Sequence, residues 1–305
     1  MLLLDGNAAS SAIKQVLESQ VKNYKSEGKK PPCLAAILVG NNGASETYVG
    51  SKVRTCAEIG FDSKLLRFEA SITEQSLINE IINLNNDEAV DGILVQLPLP
   101  DHINEANIIN AIHPDKDVDG FHPVSIGNMV QGLETFIPAT PYGIMLMLEY
   151  YQLQTKGKHA VVIGRSNIVG RPMSILLSSN LSYGNCTVTL CHRYTENLKE
   201  KTLLADIIVA AVGIPGFITE DMIKEGAVVI DIGITRVEDS TTKKGYRLKG
   251  DVDFENVSKK AKAITPVPGG VGPMTIAALM KNTMDAYLRK LSTSPVIPLK
   301  HEGKN

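Results

Sequence analysis

Val161-Val162-Ile163-Gly164-Arg165-Ser166-Asn167-Ile168-Val169-Gly170-Arg171-Pro172 is an apolar run that ends in a glycine and resumes, after a short polar turn, at a second glycine. The run reads as a buried strand, Gly164 as a tight turn, and Ile168 to Pro172 as the opening of a helix. A strand that passes through a glycine turn into a helix N-terminus offers exposed backbone N–H groups to a pyrophosphate. The glycines depart from the G-x-G-x-x-G pattern, since Ser166 takes the second place and the last glycine falls one residue late, at Gly170. On spacing alone an ordinary strand–helix turn explains the stretch as well as a dinucleotide site does.

The next apolar run downstream, Thr187–Leu190, ends in Cys191-His192-Arg193. An NAD enzyme places an acid there for the ribose 2′-hydroxyl, whereas this chain has a base. Arg165 and Arg193 can therefore face a 2′-phosphate bidentately, which points to NADP, or they are two solvated surface arginines. Further along, Asp206–Val212, Ala227–Ile232 and Ala263–Ile264 read as strands, with helices near Gly170–Ser179, Asn197–Leu204 and Glu220–Lys224. A long apolar helix is expected over Thr275–Arg289, and Val237–Lys249 as an exposed hairpin or loop.

Upstream the same grammar appears. Cys33–Val39, Lys64–Phe68 and Gly92–Gln96 read as strands, and Ser45–Gly60, Thr73–Asn85 (Thr73 as N-cap) and Asn104–Ile112 as helices. Strand–helix alternation of this kind predicts α/β architecture with parallel sheets covered on both faces. The 305 residues allow two domains. The expected division is residues 1–140, with the C-terminal helix 275–291 packing back on them, then 141–274 as a Rossmann-like doubly wound domain, then a loosely held tail over 292–305. An apolar helix over Tyr142–Tyr151 would bridge the two domains.

Composition narrows the function. Hydrophobic residues make up 43% and charged residues 21%, close to the globular average, so a sizeable core is expected and wholesale disorder is not. With 31 basic and 33 acidic residues and no basic block, nothing provides the footprint of a nucleic-acid binder. No run approaches the ~20 apolar residues of a membrane helix, and Met1–Gly6 lacks a basic leader. Cys33, Cys56, Cys186 and Cys191 are scattered, mostly in apolar runs, and fit no zinc spacing, so they read as buried thiols and no metal is expected. The expectation is a cytoplasmic protein acting on small molecules.

The chemistry-bearing stretches lie on both sides of the opening motif. Tyr48 and Lys52 are four apart on an expected helix and share one face, as an ordinary surface pair also would. The same Tyr-x-x-x-Lys spacing serves short-chain dehydrogenases, but there it follows the nucleotide-binding turn and here it precedes it. Val95-Gln96-Leu97-Pro98-Leu99-Pro100 sets a lone amide at the carboxyl end of a buried strand, where α/β sheets put ligands. Pro114-Asp115-Lys116-Asp117-Val118-Asp119-Gly120-Phe121 packs three acids and a lysine into one loop, which by itself fits a solvated turn. Thr265-Pro266-Val267-Pro268-Gly269-Gly270-Val271-Gly272-Pro273-Met274-Thr275 is a stiff loop whose glycines permit close approach of a ligand, without the Gly-Lys-Ser/Thr ending of a P-loop.

Together and in this order, Tyr48-Val49 with Lys52, Val95–Pro100, Lys116–Phe121, Gly164–Pro172, Thr187–His192 and Thr265–Thr275 resemble the bifunctional methylenetetrahydrofolate dehydrogenase/cyclohydrolase family over about residues 34–288. The resemblance implies oxidation of 5,10-methylenetetrahydrofolate with NADP, then hydrolysis of the methenyl product to 10-formyltetrahydrofolate. It assigns catalysis to Lys52, tuned by Gln96, with Tyr48 stacking on the aminobenzoyl ring and Asp119 gripping the pterin. It adds Val95, Leu97, Pro268, Gly269 and Gly272 as folate contacts. Cofactor contacts are implied at Gly164, Arg165, Ser166, Ile168, Val169, Gly170, His192, Arg193 and Ile234, and a homodimer through the nucleotide domain.

The chain departs from the family pattern at Ala139 (commonly Cys), Ser125 (commonly Asn), Arg193 (usually Ser) and Thr195 (usually basic). The rivals are a dehydrogenase-only relative, a shikimate-dehydrogenase-like enzyme, and a non-catalytic folate- or dinucleotide-binding protein. Retention of Lys52 and Gln96 argues against the first. The Asp119 loop and the Val95–Pro100 motif argue against the second, and the presence of every catalytic side chain against the third.

Overall fold

A computed structural model describes residues 1–242 and 245–292 of the chain. In chain order the elements are β1 (Leu2–Leu3), α1 (Gly6–Ser26), β2 (Cys33–Val39), α2 (Gly43–Ile59), β3 (Asp62–Phe68), α3 (Glu74–Asn86), β4 (Gly92–Val95), α4 (Glu105–Ala111), α5 (Pro123–Gln131) and α6 (Ala139–Tyr150). They continue with β5 (His159–Ile163), α7 (Gly170–Ser178), β6 (Thr187–Cys191), α8 (Leu198–Leu203), β7 (Ile207–Ala210), β8 (Val228–Asp231), β9 (Thr235–Glu238), β10 (Tyr246–Lys249), α9 (Phe254–Val257), β11 (Ala263–Ile264) and α10 (Val271–Leu291). The described residues form two compact α/β units, one of Ser11–Ala139 with the last helix from Ile276, the other of Met1–Ser10 with Thr140–Thr275. No helix among the described residues is long and apolar enough to cross a membrane.

The first unit holds a three-stranded parallel sheet in the order β3-β2-β4. Every residue of β2 is buried, as expected of a central parallel strand covered on both faces. Its side chains alternate: Leu34, Ala36 and Leu38 pack with α1, α2 and α10 through Leu17, Val21, Val49, Cys56 and Met280. Cys33, Ala35, Ile37 and Val39 pack the other way with α3 and α4 through Leu77, Ile81 and Ile108. Thr73 caps α3 by accepting from the Ser76 N–H. The chain leaves β2 to pair β3 on one side and β4 on the other. The carboxyl ends of β2 and β4 therefore form a topological switch point, the place where open α/β sheets bind ligands.

The second unit is a six-stranded sheet in the order β1-β11-β8-β7-β5-β6, parallel throughout. Its switch point lies at β5, between β6 and β7. The glycine turn decides how closely these strand ends approach. Gly164 has φ +115°, and a Cβ there would lie 2.1 Å from the Ala211 carbonyl oxygen. A Cβ on Gly170 would lie 1.9 Å from the Gly164 carbonyl oxygen. Both positions accept only glycine.

Several elements differ from the sequence expectations. Helix α1 has no counterpart among them, although Leu17 and Val21 stand one turn apart on its buried face. Helix α5 also escapes; it is capped by the His122 ring, which accepts from the Val124 N–H, and stopped by Gly132 at φ 70°. The apolar start Leu2–Leu3 is an edge strand on β11, with the Leu2 N–H donating to the Lys262 carbonyl at 2.7 Å. That pairing groups Met1–Ser10 with the second unit. The Val237–Lys249 stretch is an antiparallel hairpin of β9 and β10 with Lys243 and Lys244 outside the described residues. The expected tail lies outside them from residue 293 on.

Candidate active and cofactor sites

Helix α2 buries a stripe formed by Val49, Cys56 and Ile59, and Lys52 stands on that same stripe. Lys52 is only 5% exposed. Its Nζ donates to Gln96 Oε1 at 3.1 Å, and Gln96 Nε2 donates to the Leu97 carbonyl at 2.7 Å. The Gln96 N–H is held by the Ile37 carbonyl at 2.9 Å, which extends the β2–β4 pairing by one residue. The amide is thus fixed with its oxygen toward the lysine. The Leu97–Pro98 bond that follows is cis.

Burial pushes the Lys52 amine below its ordinary value, and attraction to Asp119 offsets part of that shift. Burial pushes Asp119 up, and Lys52 offsets part of it. Both groups are therefore biased toward their neutral forms. Tyr48, one turn before Lys52 and partly buried, has its phenol raised by desolvation and stays protonated. Lys52, Gln96 and Asp119 are thus brought together at the switch point of the first sheet, with Tyr48 on the same helix face. Val95 is buried at the end of β4 and Leu97 partly so.

The three acids of the Asp115–Asp119 loop have separate tasks. Asp115 is exposed. Asp117, 1% exposed, accepts from the Phe121 N–H at 3.2 Å, the His122 N–H at 2.8 Å and Ser125 Oγ at 2.7 Å, and is pushed up to about 6, chiefly by burial. It folds the loop that presents Asp119, and Ser125, the departure noted in the sequence, donates to it. Lys116 donates to the Leu84 and Asp87 carbonyls at 2.9 and 2.8 Å, at the end of α3.

From α10, Asn282 Nδ2 donates to the Val118 carbonyl at 2.8 Å and the Ile137 carbonyl at 2.9 Å. Asn282 and Asp117 are absent from the sequence-derived set. An asparagine on the apolar stripe Ala278, Leu279, Ala286 was the signal available for the former, since a buried amide requires partners.

In the second unit, Arg165, Ser166, Asn167 and Ile168 form an exposed turn between β5 and α7. Ser166 Oγ accepts from the Val169 N–H at 3.2 Å and the Gly170 N–H at 3.3 Å, capping the helix from inside the turn. At the end of β6 the chain closes a tight turn: the His192 N–H donates to Thr195 Oγ1 at 2.8 Å and the Tyr194 N–H to His192 Nδ1 at 3.2 Å. Thr195, where a base is usual, closes that turn. Arg165 and Arg193 both lie over the Tyr194 ring, 5.9 and 4.7 Å from its centroid. Two exposed guanidiniums at the ends of adjacent strands, with glycine-tight packing between strand and helix, fit a dinucleotide bearing an additional phosphate.

Ile234 is 47% exposed, just before β9. Nearby, buried Asp231 accepts from the Gly233, Asp251 and Val252 N–H groups at 2.9, 2.9 and 3.0 Å and is pushed up to about 6, chiefly by burial. Asp251 Oδ2 holds the Val212 and Gly213 N–H groups at 2.6 and 3.0 Å, just beyond β7. Neither acid is in the sequence-derived set. Pro268, Gly269 and Gly272 belong to this unit too: the Gly269 carbonyl accepts from the Gly6 N–H at 2.8 Å, and the Val267–Pro268 bond is cis. Cys186 and Cys191 are buried, and Cys186 Sγ donates to the Thr155 carbonyl at 3.3 Å.

Comparison with known proteins agrees with both halves. Residues 4–119 match the model of the tetrahydrofolate dehydrogenase/cyclohydrolase catalytic domain, and residues 138–291 that of the NAD(P)-binding domain of the same family. The bifunctional protein FolD of Flavobacterium johnsoniae is 61% identical over 93% of this chain and 96% of its own. Among solved structures, the bifunctional methylenetetrahydrofolate dehydrogenase/cyclohydrolase of Campylobacter jejuni is similar with TM-score 0.89 and 48% identity, covering 95% of this chain and 99% of its own. The Trypanosoma brucei dehydrogenase-cyclohydrolase, solved with NADP cofactor and an inhibitor, gives TM-score 0.91 at 37% identity, covering 95% and 98%. A buried lysine bonded to a half-buried glutamine and set beside Asp119 on one sheet, a glycine turn into a helix on the other, and family matches spanning both place the chain in the tetrahydrofolate dehydrogenase/cyclohydrolase family.

Proposed function

We propose that Lys52, Gln96, Asp119 and Tyr48 carry the two folate reactions of this enzyme, which oxidises 5,10-methylenetetrahydrofolate with NADP and hydrolyses the methenyl product to 10-formyltetrahydrofolate. The observation that carries this reading is the buried Lys52 amine, donated to Gln96 and biased toward neutrality. NADP, when bound, supplies the hydride acceptor. The chain's task in that step is to hold the folate and exclude water, a contribution of proximity and alignment. Tyr48 provides a ring face for the aminobenzoyl group, and Asp119, biased toward its protonated form, can donate to as well as accept from the pterin.

In the second step water attacks the cationic methenyl carbon and gives its proton to neutral Lys52. As the C–N5 bond of the resulting carbinolamine breaks, its hydroxyl gives up its proton to become the formyl carbonyl, N5 takes up a proton in its place, and the formyl group remains on N10. A neutral amine next to a cationic carbon avoids like-charge repulsion, which is why its depressed pKa matters. Gln96, locked by Leu97, aims the amine. Cyclohydrolase activity is therefore expected to rise with pH through a midpoint below the ordinary lysine value.

At the nucleotide site Arg165 and Arg193 select NADP over NAD, supported by Gly164, Ser166, Ile168, Val169, Gly170, His192 and Ile234 around the turn. Val95, Leu97, Pro268, Gly269 and Gly272 complete the folate contacts. A homodimer in the cytoplasm belongs to the same reading, tested by light scattering of the purified protein and by cell fractionation. The deciding assay supplies 5,10-methylenetetrahydrofolate with NADP⁺ and then NAD⁺, following reduced cofactor and methenyl product separately. Reduced NADP without methenyl accumulation, with faster hydrolysis of supplied methenyltetrahydrofolate, is the expected result. Accumulating methenyl product would leave a dehydrogenase alone, and no reduction with either cofactor would refute the activity.

A further inference from the structure

We infer that Tyr194 is a positioning residue for NADP selectivity: its ring is a shelf that holds Arg165 and Arg193 together, ready for the 2′-phosphate. The inference rests on the NADP reading above and adds a residue outside the set named there.

Tyr194 is 65% exposed, an unusual place for an aromatic side chain unless something uses its face. Its backbone is not free to wander, because the turn from His192 to Thr195 is closed at three points. The His192 N–H meets Thr195 Oγ1 at 2.8 Å, the Thr195 N–H meets the His192 carbonyl at 2.8 Å, and the Tyr194 N–H meets His192 Nδ1 at 3.2 Å. The His192 ring also sits edge-on to Tyr194, centroids 6.2 Å apart at 73°. The ring is thereby fixed at the carboxyl end of β6.

Two guanidiniums then converge on it, Arg193 from the same turn at 4.7 Å and Arg165 from the glycine turn after β5 at 5.9 Å. Among the described residues neither guanidinium has a salt bridge or hydrogen-bond partner. Two like charges are thus gathered on one ring with no carboxylate between them. Their mutual repulsion is offset partly by the quadrupole of the ring face, and a bound dianion pairs with both. An exposed arginine ordinarily loses much of its rotamer freedom when it binds phosphate. Holding both arginines over the ring beforehand lowers that loss, and it does so for a ligand that carries a 2′-phosphate and not for one with a hydroxyl. The hydroxyl of Tyr194 plays no part in this account.

The test uses the intact protein and calorimetric titration with two probes, adenosine 2′,5′-bisphosphate and adenosine 5′-monophosphate, beside the Michaelis constants for NADP⁺ and NAD⁺. Tyr194→Ala is expected to weaken the bisphosphate about five- to thirty-fold, the cost of ordering on binding two arginine side chains that the ring no longer holds in place. It should leave the monophosphate and the NAD⁺ constant within about twofold. Tyr194→Phe should restore wild-type binding. Equal weakening of both probes in Tyr194→Ala would make the ring an adenine or general structural contact and overturn the inference, as would a Phe variant no better than Ala. A wild-type preference for the bisphosphate that survives in Tyr194→Ala would also overturn it while leaving the NADP reading intact. Wild-type protein with no such preference would strike down the NADP reading itself.

Discussion

Replacing Lys52 by Met is expected to separate the two reactions, because under the proposed mechanism only one of them needs a proton acceptor. Met fills the position between Val49 and Cys56 with a similar volume, while Gln96 Oε1 loses its 3.1 Å donor. Leaving that amide oxygen without a partner costs about 1–3 kcal/mol. The loss is opposed by relief from burying an amine that desolvation already disfavours. The net change in stability is expected within about 2 kcal/mol of zero, so the variant should fold. Asp119, deprived of the charge that offsets its burial, should shift further upward.

A positioned acid–base group contributes about 10²–10⁴-fold, equivalent to roughly 2.7–5.5 kcal/mol of barrier. Hydrolysis of supplied methenyltetrahydrofolate, corrected for its spontaneous rate, should fall by that factor. Reduction of NADP⁺ should stay within about tenfold of wild type, since hydride transfer draws on alignment alone. A thermal melt establishes that the variant is folded. Folded Lys52→Met protein that keeps both activities would refute the assignment of Lys52, and loss of both to the same extent would make it a binding residue.

Other predictions follow from the loops around the two sites. Asn282→Ala frees the Val118 and Ile137 carbonyls and should raise the KM for folate more than it lowers kcat; unchanged folate kinetics would remove Asn282 from the support of Asp119. Gly170→Ala drives a Cβ into the Gly164 carbonyl and should destabilise by about 1–3 kcal/mol or more, measured by denaturant melts. Asp117 and Asp231, each pushed up to about 6 mainly by burial, bind protons more tightly in the folded chain than in the unfolded one. Their contribution to stability is therefore lost as pH rises through about 6, and lowering pH from 7 to 5 should restore roughly 1 kcal/mol per group. His122, lowered mainly by burial, opposes this as pH falls and trims the gain. A melting temperature that drops steadily from pH 7 to pH 5 would contradict it.

The α/β class and the central strands were legible because a strand buried on both faces must be apolar along its buried length, as β2 and β7 are throughout and β5 and β8 are apart from His159 and Asp231 at their ends. Helix α1 was not, since its buried residues are spread among Ser, Gln, Asn and Lys over 21 residues. Lys52 and Gln96 were legible as types at suggestive places. A lysine on an apolar stripe and an amide at a strand end invite a partner, but nothing in the spacing of 44 residues says that they are each other's partner.

What the sequence determined by itself were the local terms: the periodicity of each element, the glycine turn at Gly164, the absence of an acid after β6, and the ordered motifs that carry the family. What only the tertiary structure decided were pairings between distant segments and the burial that follows from them. Asp117 and Asp119 are two residues apart in one loop, yet the first is walled in by the Phe121 and His122 N–H groups and the Ser125 hydroxyl, and the second faces Lys52. The arginines at 165 and 193 are ordinary surface residues in the sequence, and become one cluster because β5 and β6 are neighbours and Tyr194 stands between them. Charge and pKa depend on what surrounds a group in space, and chain order does not contain that until the sheets have formed.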